Sequence, residues 1–363
     1  QHSQVMESNT AQGTNEIAAT ELLKSKLIEI ICNNDIESFH TFHYDTKYSY
    51  IERADYSITG LLLTSRYSSF RSDVLPTDNL SLIHVAAFAD SLEIFCTLIE
   101  KYGFNINTRS IDSYLPLHYA ALYGSSEILR YILFIMPALS NYGNNILNLI
   151  VFNEISNFIF GFSNLSPLYC ATVNGNLENV KLLLSKGADI NSSSNLLHSP
   201  IDKAIQSRNL ECLTLLVNLK HKSGNSIITA IENYYFSAVP LLYEAGESLS
   251  YIDQDGNTPL SLACTFNKID TIRFICEHLD NVDIEDSPNA KDYAVHWICR
   301  TRDPEVCRIV LRKGINVNKL DSKGFTGIHY AIDCATPEQL QDIIDQLINA
   351  GLCLDSSLLP PNQ

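Results

Sequence analysis

The chain has 363 residues and a formal net charge of −16, with 41 aspartates and glutamates against 25 lysines and arginines. This acidic excess disfavours a nucleic-acid-binding surface, because such surfaces neutralise phosphates with lysine and arginine. It favours a basic or neutral protein partner. No run of about 18 apolar residues is present to span a bilayer, and no secretory leader precedes the fold. We therefore expect a cytoplasmic protein.

The ten cysteines contain no C-x-x-C pair and no His/Cys cluster with zinc spacing. This pattern predicts no metal site. Cys264 and Cys299 stand where other copies of the repeat described below have alanine, so we expect small buried thiols in a reducing compartment.

The first 77 residues lack a regular pattern. Residues 1–13 are polar and without periodicity, which predicts a flexible tail. Residues 14–77 are interpreted as a degenerate N-terminal capping region. In it, residues 16–32 carry one apolar helical stripe, and Asn34–Phe39 has the turn and acidic residue that open a second helix. The repeat pattern is lost between 41 and 77, although Ile58–Phe70 is predicted to form another helix.

A recurring pattern occupies residues 78–355, and its clearest copy is Asp255–Cys264. Asp255-Gly256 suits a tight turn, Thr258 is a predicted N-cap, and Pro259 fits the first helical position because its missing N–H costs nothing there. Ala263 presents a small face, which lets a neighbouring helix approach closely. The pattern therefore predicts a turn followed by a short helix that stacks on its neighbours. The final residues, 356–363, are predicted to be a C-terminal tail.

We number each copy of the pattern from the residue that corresponds to Ser261, which is called position zero. Eight copies are found, and the residues two and nine positions after zero (+2 and +9) also recur. The zero residues are His84, His118, Tyr169, Asp202, Ile228, Ser261, His296 and His329. The residue at +2 is alanine except at Ile298: Ala86, Ala120, Ala171, Ala204, Ala230, Ala263 and Ala331. Position +9 is acidic in all copies but one: Glu93, Glu127, Glu178, Glu211, Asp270, Glu305 and Glu338. A carboxylate there suits the first turn of a second helix.

The zero positions are separated by 34, 51, 33, 26, 33, 35 and 33 residues, so the period is near 33. With this period, Leu115-Pro116-Leu117-His118-Tyr119-Ala120-Ala121 resembles the T-P-L-H-x-A-A signature of ankyrin repeats. Gly187–Asn191 and Gly314–Asn318 resemble the family's repeat end. The diverged leading segment, followed by Leu82–Phe88, is similar to the large ankyrin families of flagellated protists. The resemblance implies an all-α ankyrin-repeat solenoid of helix–turn–helix units with short hairpin loops, irregular near the N-terminus.

Two intervals depart from the period. The 51-residue interval is interpreted as holding a truncated extra repeat, with helices near Asn144–Asn148 and Glu154–Phe160; an insertion is the alternative. The 26-residue interval leaves little room for a hairpin finger at Val217–Lys222.

We find no phosphate-binding glycine loop, no H-E-x-x-H and no nucleophile elbow, so we predict a protein that is not an enzyme and binds no cofactor. The histidines share one frame position (His84, His118, His296 and His329), and we expect them to hydrogen-bond neighbouring turns rather than to bind a ligand.

Function is expected at the positions that the repeat leaves free. Offsets +1, +4 and +5 point to the concave side, which the family resemblance implies is the usual partner surface. The candidate partner-binding residues are Phe88, Tyr119, Leu122, Tyr123, Phe266, Trp297, Arg300 and Tyr330. Aromatic residues and arginine are enriched at interface hot spots, whereas filling gaps between repeats is the alternative role for each of them. Trp297 is the sharpest candidate because it is the only tryptophan.

Charge adds a further hypothesis. One repeat concentrates basic residues in an otherwise acidic chain: Arg300, Arg302, Arg308, Arg312 and Lys313. Such a patch either forms an ordinary solvated helix face or attracts an acidic peptide. The predicted function is a non-enzymatic protein-interaction scaffold. Two alternatives are a structural component of a large cytoskeletal or axonemal, microtubule-associated assembly, and the targeting arm of an enzyme complex.

Overall fold

The computed structural model describes residues 18–46, 53–59, 61, 75–111, 114–122, 126–139, 165–190, 199–219, 225–280, 282, 292–332 and 336–353. The chain divides into two compact units, residues 1–212 and 213–363. The described residues form helices joined by turns, and their only β-type pairing is an isolated antiparallel bridge between Tyr56 and Leu80. The predicted all-α, helix–turn–helix architecture is confirmed for this part of the chain.

The helices are numbered here in chain order. In the first unit they are α1 (18–32), α2 (Ile36–Thr46), α3 (Leu82–Ala89), α4 (Leu92–Glu100), α5 (Pro116–Leu122), α6 (Glu127–Leu139), α7 (Pro167–Val173), α8 (Leu177–Ser185) and α9 (Pro200–Gln206). Helix α10 (Leu210–Asn218) crosses the unit boundary. The second unit contains α11 (Ser226–Glu232), a 3₁₀ turn (Phe236–Ala238), α12 (Val239–Glu244), α13 (Pro259–Thr265), α14 (Ile269–His278), α15 (Ala294–Thr301), α16 (Pro304–Leu311), α17 (Gly327–Ile332) and α18 (Pro337–Asn349).

Local capping explains where the helices begin. The Thr258 hydroxyl accepts the Ser261 N–H at 3.1 Å, the Ser261 hydroxyl accepts the Thr258 N–H at 2.8 Å, and Pro259 occupies the first turn of α13. The N-cap predicted at Thr258 is thus confirmed, and Ser261 completes a capping box with it. Each acidic residue predicted at +9 lies in the first turn of a second helix, where it complements the helix dipole.

Small residues set the packing between units of the repeat. The first helices pack in sequence, α3–α5–α7–α9 in the first unit and α11–α13–α15–α17 in the second. All the alanines at +2 are buried, and Ile298, which replaces alanine in one copy, is also fully buried. Burial of this position in every copy confirms that the alanine face is the contact between neighbouring helices.

The frame histidines hold turns together. His84 accepts from the Ser81 hydroxyl through Nδ1 at 2.8 Å and donates through Nε2 to the carbonyl oxygens of Thr108 and Tyr114, both at 3.1 Å. In the same way, His296 Nδ1 accepts the Tyr293 N–H at 3.0 Å, and Nε2 donates to the Phe325 carbonyl at 3.0 Å. Each ring therefore links its own helix start to the next turn, which confirms the predicted role for these two histidines.

His118 and His329 show part of the same arrangement. His118 Nδ1 accepts the Leu115 N–H at 3.1 Å, and His329 Nδ1 accepts the Thr326 N–H at 3.1 Å. Each of these two rings thus caps its own turn.

The N-terminal region forms a helix pair that packs on the first repeat. Helices α1 and α2, both predicted, are joined by a turn at Asn34, and α2 packs against α4. Ser91 donates to the Ile31 carbonyl, which fastens α1 to the turn before α4. Buried Lys24 binds Asp55 at 2.7 Å and Glu21 at 2.9 Å, so the extended segment 53–59 is held against α1.

The helix predicted over Ile58–Phe70 lies mostly outside the described residues. At its first residue, the Ile58 N–H donates to the Thr77 carbonyl at 2.8 Å beside the Tyr56–Leu80 bridge, while the Ile58 carbonyl accepts the Leu61 N–H at 3.0 Å, and Leu61 is 3₁₀-helical. Residues 62–70 of that predicted helix, the predicted tails 1–13 and 356–363, and the proposed truncated repeat within 140–164 lie outside the described residues, as does the second half of the Val217–Lys222 interval.

Candidate partner-binding surface

Three of the predicted site residues in the first unit are buried. Phe88, Tyr119 and Leu122 are each 0% exposed. The Tyr119 ring lies edge-on to His84, with centroids 5.5 Å apart, and its hydroxyl donates to the Pro76 carbonyl at 2.9 Å. These three side chains belong to the packing between repeats, so the prediction that they contact a partner is corrected. Tyr123 lies outside the described residues.

Trp297 is also a packing residue. Its side chain is only 9% exposed on α15, between Ile298 and His296, which are both fully buried. We therefore remove Trp297 from the candidate surface: a buried indole contributes to a partner interface only if the repeats open. Its role is the gap-filling alternative raised from the sequence.

Arg300 and Tyr330 do reach the surface, and they contact each other. The Arg300 guanidinium lies 4.2 Å from the centroid of the Tyr330 ring and donates to Asp292 Oδ2 at 2.6 Å. The Tyr330 hydroxyl donates to Asp321. Arg300 is exposed and Tyr330 is half-buried. Helices α15 and α17, which belong to successive repeats, thus present a cation and an aromatic ring that are held in place from both sides.

Hydrogen bonds and burial shift the pKa values of Asp321, Tyr330 and Arg300. Burial opposes ionisation of Asp321, but hydrogen bonds from Tyr330 and from the Phe325 and Lys323 N–H groups outweigh it and hold the pKa of this carboxyl below its usual range. Burial and the bond to Asp321 raise the pKa of Tyr330. Burial likewise opposes the charge on Arg300, but hydrogen bonds to Asp292 and Tyr330 prevail and raise its pKa. At neutral pH the arginine is therefore cationic, the phenol neutral and Asp321 anionic.

Phe266 belongs to an aromatic cluster that the sequence analysis did not single out. Its ring centroid lies 4.8 Å from that of Tyr234 and 6.3 Å from that of Phe236, and Tyr234 and Phe236 are 6.2 Å apart. Tyr234 is 57% exposed, and the two phenylalanines are half-buried. We call Tyr234, Phe236 and Phe266 the aromatic turn cluster. The run Tyr234-Tyr235-Phe236 was the available sequence signal, but Tyr234 and Phe236 fall outside offsets +1, +4 and +5.

Two of the five basic residues of the α15–α16 repeat, Arg300 and Arg308, form ion pairs with acidic neighbours. Arg308 pairs with Glu305 at 2.8 Å and with Asp342 at 3.6 Å, and Glu305 also binds Arg273 at 3.3 Å. These pairs join α14, α16 and α18, whereas Arg300 is held by Asp292. Arg300 and Arg308 are therefore ion-paired within the protein, and attraction of an acidic peptide to this repeat stays a prediction. Exposed pairs of this kind contribute at most about 1 kcal/mol each.

The first unit offers one groove of a different kind. A cleft of about 440 Å³ between α6 and α8 is lined by Arg130, Tyr131, Leu133, Phe134, Leu182 and Lys186. Phe134 is 79% exposed there, and Arg130 forms an ion pair with Glu178. Its lining includes no nucleophile or metal-binding group, so we assign it no chemistry.

Within the described residues, no group of three or more His, Cys, Asp or Glu side chains is arranged to hold a metal ion. Nor does any described helix combine the length and hydrophobicity needed to cross a bilayer.

Comparison with protein families gives a consistent result. Models described as ankyrin repeats (3 copies) match residues 135–226 and 203–287, and a model described as ankyrin repeats (many copies) matches residues 83–133. Together these matches cover more than half of the chain.

Similar proteins match over shorter stretches. A putative ankyrin repeat protein of fowlpox virus, FPV244, is 34% identical over 101 residues, 27% of this chain and 15% of that protein. Human transient receptor potential cation channel subfamily A member 1 is 26% identical over 224 residues, 56% of this chain and 18% of that protein. The probable 26S proteasome regulatory subunit p28 of Saccharomyces cerevisiae is 27% identical over 105 residues, 28% of this chain and 46% of that protein. The chain thus spans less than half of each relative.

Among solved structures, the human ASB11 ankyrin repeat domain is similar, with a TM-score of 0.37 and 22% identity over 73% of this chain and 97% of that domain.

Proposed function

The chain belongs to the ankyrin-repeat proteins, and on that basis we propose that it is a non-enzymatic module that binds a protein partner through the first helices of the repeats in its 213–363 unit. The all-α ankyrin-repeat fold predicted from the sequence is confirmed. Ankyrin repeats generally mediate protein–protein interactions and typically have no enzymatic activity.

The observation that carries the proposal is the Arg300–Tyr330 stack. Exposed aromatic and arginine side chains form most interface hot spots, and side chains already held in place lose little conformational entropy on binding. Asp292 and Asp321 supply that restraint here. Half-buried Phe266, on the preceding repeat, extends the same unit's candidate surface. The proposal therefore retains three of the predicted residues: Phe266, Arg300 and Tyr330.

We also propose that the protein resides in a reducing compartment such as the cytoplasm and that it binds no cofactor. The reducing compartment is supported by the cysteines of the described residues: apart from Cys32, the eight are free thiols, and six of these eight are buried. Burial raises the pKa of the Cys170 and Cys264 thiols, which disfavours the reactive thiolate.

Crosslinking from native extract, followed by mass spectrometry, tests this assignment. The lysines near the proposed surface are Lys268, Lys319 and Lys323, and we expect partner crosslinks to concentrate on them. The double variant Arg300→Ala/Tyr330→Ala should lower partner capture by more than about tenfold, the scale of a hot-spot loss.

The matched control is Arg308→Ala, which removes an exposed, ion-paired arginine from α16, the second helix of its repeat. Its capture should equal that of the wild type, and urea midpoints of all three proteins exclude unfolding as the cause. Full capture by the double variant would contradict the proposal. Crosslinks spread over many faces of the chain would instead favour a structural component of a large assembly.

A further inference from the structure

In the part of the chain that the structure describes, the turn between the two helices of a repeat contains a left-handed residue, which in one of these turns is glycine, Gly175. Elsewhere φ lies between 48° and 60° at non-glycine residues: Asn34, Asp90, Arg208, Tyr234, Asn267 and Arg302. Asparagine and aspartate tolerate this conformation, whereas a bulky aromatic residue is disfavoured in it. Tyr234 is therefore the outlier of the series.

The energetic cost at Tyr234 is not balanced by burial of its own ring. The side chain remains 57% exposed, although its ring contacts Phe266 on the next repeat. A non-glycine residue kept in the left-handed region, with its apolar surface facing solvent, is typical of a functional position rather than of a packing position. The aromatic turn cluster thus presents an exposed apolar anchor site at the turns of two successive repeats.

The stretch of sequence that contains this cluster is acidic. Residues 225–280 contain eight acidic residues and two basic ones, for a net charge of −6. Glu232 lies two residues before Tyr234, and its pKa is raised by burial and by the charges of Asp253 and Asp255. A cation placed among these carboxylates would relieve their mutual repulsion. One positive group of this stretch, Lys268, lies over the face of Phe236, with its Nζ 5.1 Å from the ring centroid.

We propose that the aromatic turn cluster and Glu232 form a second docking surface, which takes a protein segment carrying a hydrophobic anchor residue next to lysine or arginine. The anchor packs on Tyr234 and Phe266, and the adjacent cation pairs with Glu232 and lies against the exposed Tyr234 ring. This inference rests on the proposed function in taking a protein segment as the ligand. Phe266 belongs to both surfaces, whereas Glu232, Tyr234 and Phe236 belong only to this one, and Arg300 and Tyr330 only to the other.

The test uses the full chain and three fluorescein-labelled synthetic peptides in fluorescence anisotropy at about 150 mM salt, where exposed long-range charge effects are screened. One peptide alternates lysine and leucine around a central tryptophan. The second replaces lysine with glutamate, and the third keeps lysine but replaces leucine and tryptophan with serine. We expect the first peptide to bind at least tenfold more tightly than either of the others.

Variants locate the site. Tyr234→Gly removes the ring while suiting the left-handed backbone, so the turn is preserved, and it should weaken binding of the first peptide at least tenfold; Glu232→Gln should weaken it at least threefold. The matched control Asp345→Asn removes one exposed carboxylate from α18 and should leave the affinity within twofold of the wild type. Arg300→Ala/Tyr330→Ala should also bind this peptide normally, whatever its effect on partner capture.

Wild-type affinity in Tyr234→Gly would overturn the inference, even if the Arg300–Tyr330 surface proves correct. So would a preference for the acidic peptide, or equal binding of the lysine–serine peptide, because either result would separate the interaction from the aromatic cluster or from its charge. An equal loss in Asp345→Asn and Glu232→Gln would overturn it as well, since net charge alone would then account for binding.

Discussion

At the scale of single residues, this chain departs most from an idealised repeat in the turn between paired helices. Glycine is the residue best suited to positive φ, yet Arg208, Tyr234 and Arg302 adopt φ values of 53°, 58° and 60°. Left-handed geometry costs a non-glycine residue about 1–2 kcal/mol. The fold tolerates this cost because the flanking helices are capped and packed on both sides. The cost is best measured at a left-handed residue whose side chain makes few contacts.

Arg302 provides that measurement. It ends α15 in the left-handed conformation and is exposed. Arg302→Gly should raise the free energy of unfolding by about 0.5–1 kcal/mol, because relief of the left-handed strain exceeds the extra unfolded-state entropy of glycine. Arg300→Gly, two residues earlier and inside the helix, should instead lower it by about 1 kcal/mol or more. Urea midpoints of the two variants should therefore move in opposite directions; a decrease in both would show that the Arg302 turn is unstrained.

Buried histidines set a second residue-scale property, the response to acid. Burial lowers the pKa of His84 and of His118 from the ordinary value of 6.5 to about 4. The unfolded chain therefore binds these protons first as pH falls. Stability should be fully present above pH 6.5 and decrease between about 6.5 and 4, by up to about 1.4 kcal/mol per pH unit for each histidine.

The variant His84→Asn checks this origin. Asparagine does not titrate, so the variant should be less stable than the wild type at neutral pH but should lose less further stability between about pH 7.5 and 5.5. Urea titrations at both pH values give the two slopes. Identical slopes in variant and wild type would assign the acid sensitivity to other groups.

At the scale of secondary-structure elements, the closeness of neighbouring helices limits what the sequence can vary. The start of α17 meets α15 at Gly327, where a Cβ atom would lie 2.6 Å from Val295 Cγ2, 2.7 Å from the Val295 carbonyl oxygen and 3.0 Å from Cys299 Sγ. The backbone oxygen is the critical contact, because a side chain can rotate away but the carbonyl belongs to α15 itself. This glycine is thus required for helix approach rather than for backbone freedom.

Gly327→Ala should lower the free energy of unfolding by about 1–3 kcal/mol, the range of overpacking. The sign is informative, since the same change in an unobstructed helix is stabilising by roughly 0.5–1 kcal/mol. Gly314→Ala is the comparison: nothing lies within 4 Å of its Cβ, and its φ is 69°, so only left-handed strain of about 1–2 kcal/mol applies. A stabilising Gly327→Ala would mean that α15 and α17 are further apart than described.

At the scale of the whole molecule, each repeat contacts chiefly its neighbours. Within each unit the first helices pack on adjacent first helices and on the second helices of their own repeats, as α3 does on α4 and α13 on α14. The Arg273–Glu305 ion pair joins α14 to α16, and the Arg308–Asp342 ion pair joins α16 to α18. Stability in such an array is a sum of repeat terms and nearest-neighbour terms. A local defect should therefore stay local.

Ala263→Leu tests this locality. Ala263 is 0% exposed, so leucine should overpack the contact and cost roughly 1–3 kcal/mol. Hydrogen exchange measured by mass spectrometry should quicken in α11–α16 and remain unchanged in α3–α6, because exchange reports the opening free energy of each segment. Uniform acceleration along the chain would indicate a single cooperative unit.

The sequence by itself determined the helix pairs, their caps and the buried alanine face. These features depend on residues close in the chain: Thr258, Pro259 and Ser261 start α13 with their own hydrogen bonds, and the 33-residue period repeats that local arrangement. For the same reason the turn-bonding histidines were predictable, since their partners occupy fixed offsets in adjacent repeats.

Only the tertiary structure decided which side chains reach solvent. Tyr119 and Trp297 share offset +1 with Tyr330, yet the first two are buried and the third is half-buried, because their neighbours on adjacent elements differ. Arg308, predicted to be available to a partner, is instead ion-paired with Glu305 of its own helix α16 and with Asp342 of α18. The Tyr234 ring contacts that of Phe266, which lies 32 residues later in the sequence. Exposure and ion pairing depend on groups that packing brings together from distant positions, so a local pattern cannot encode them.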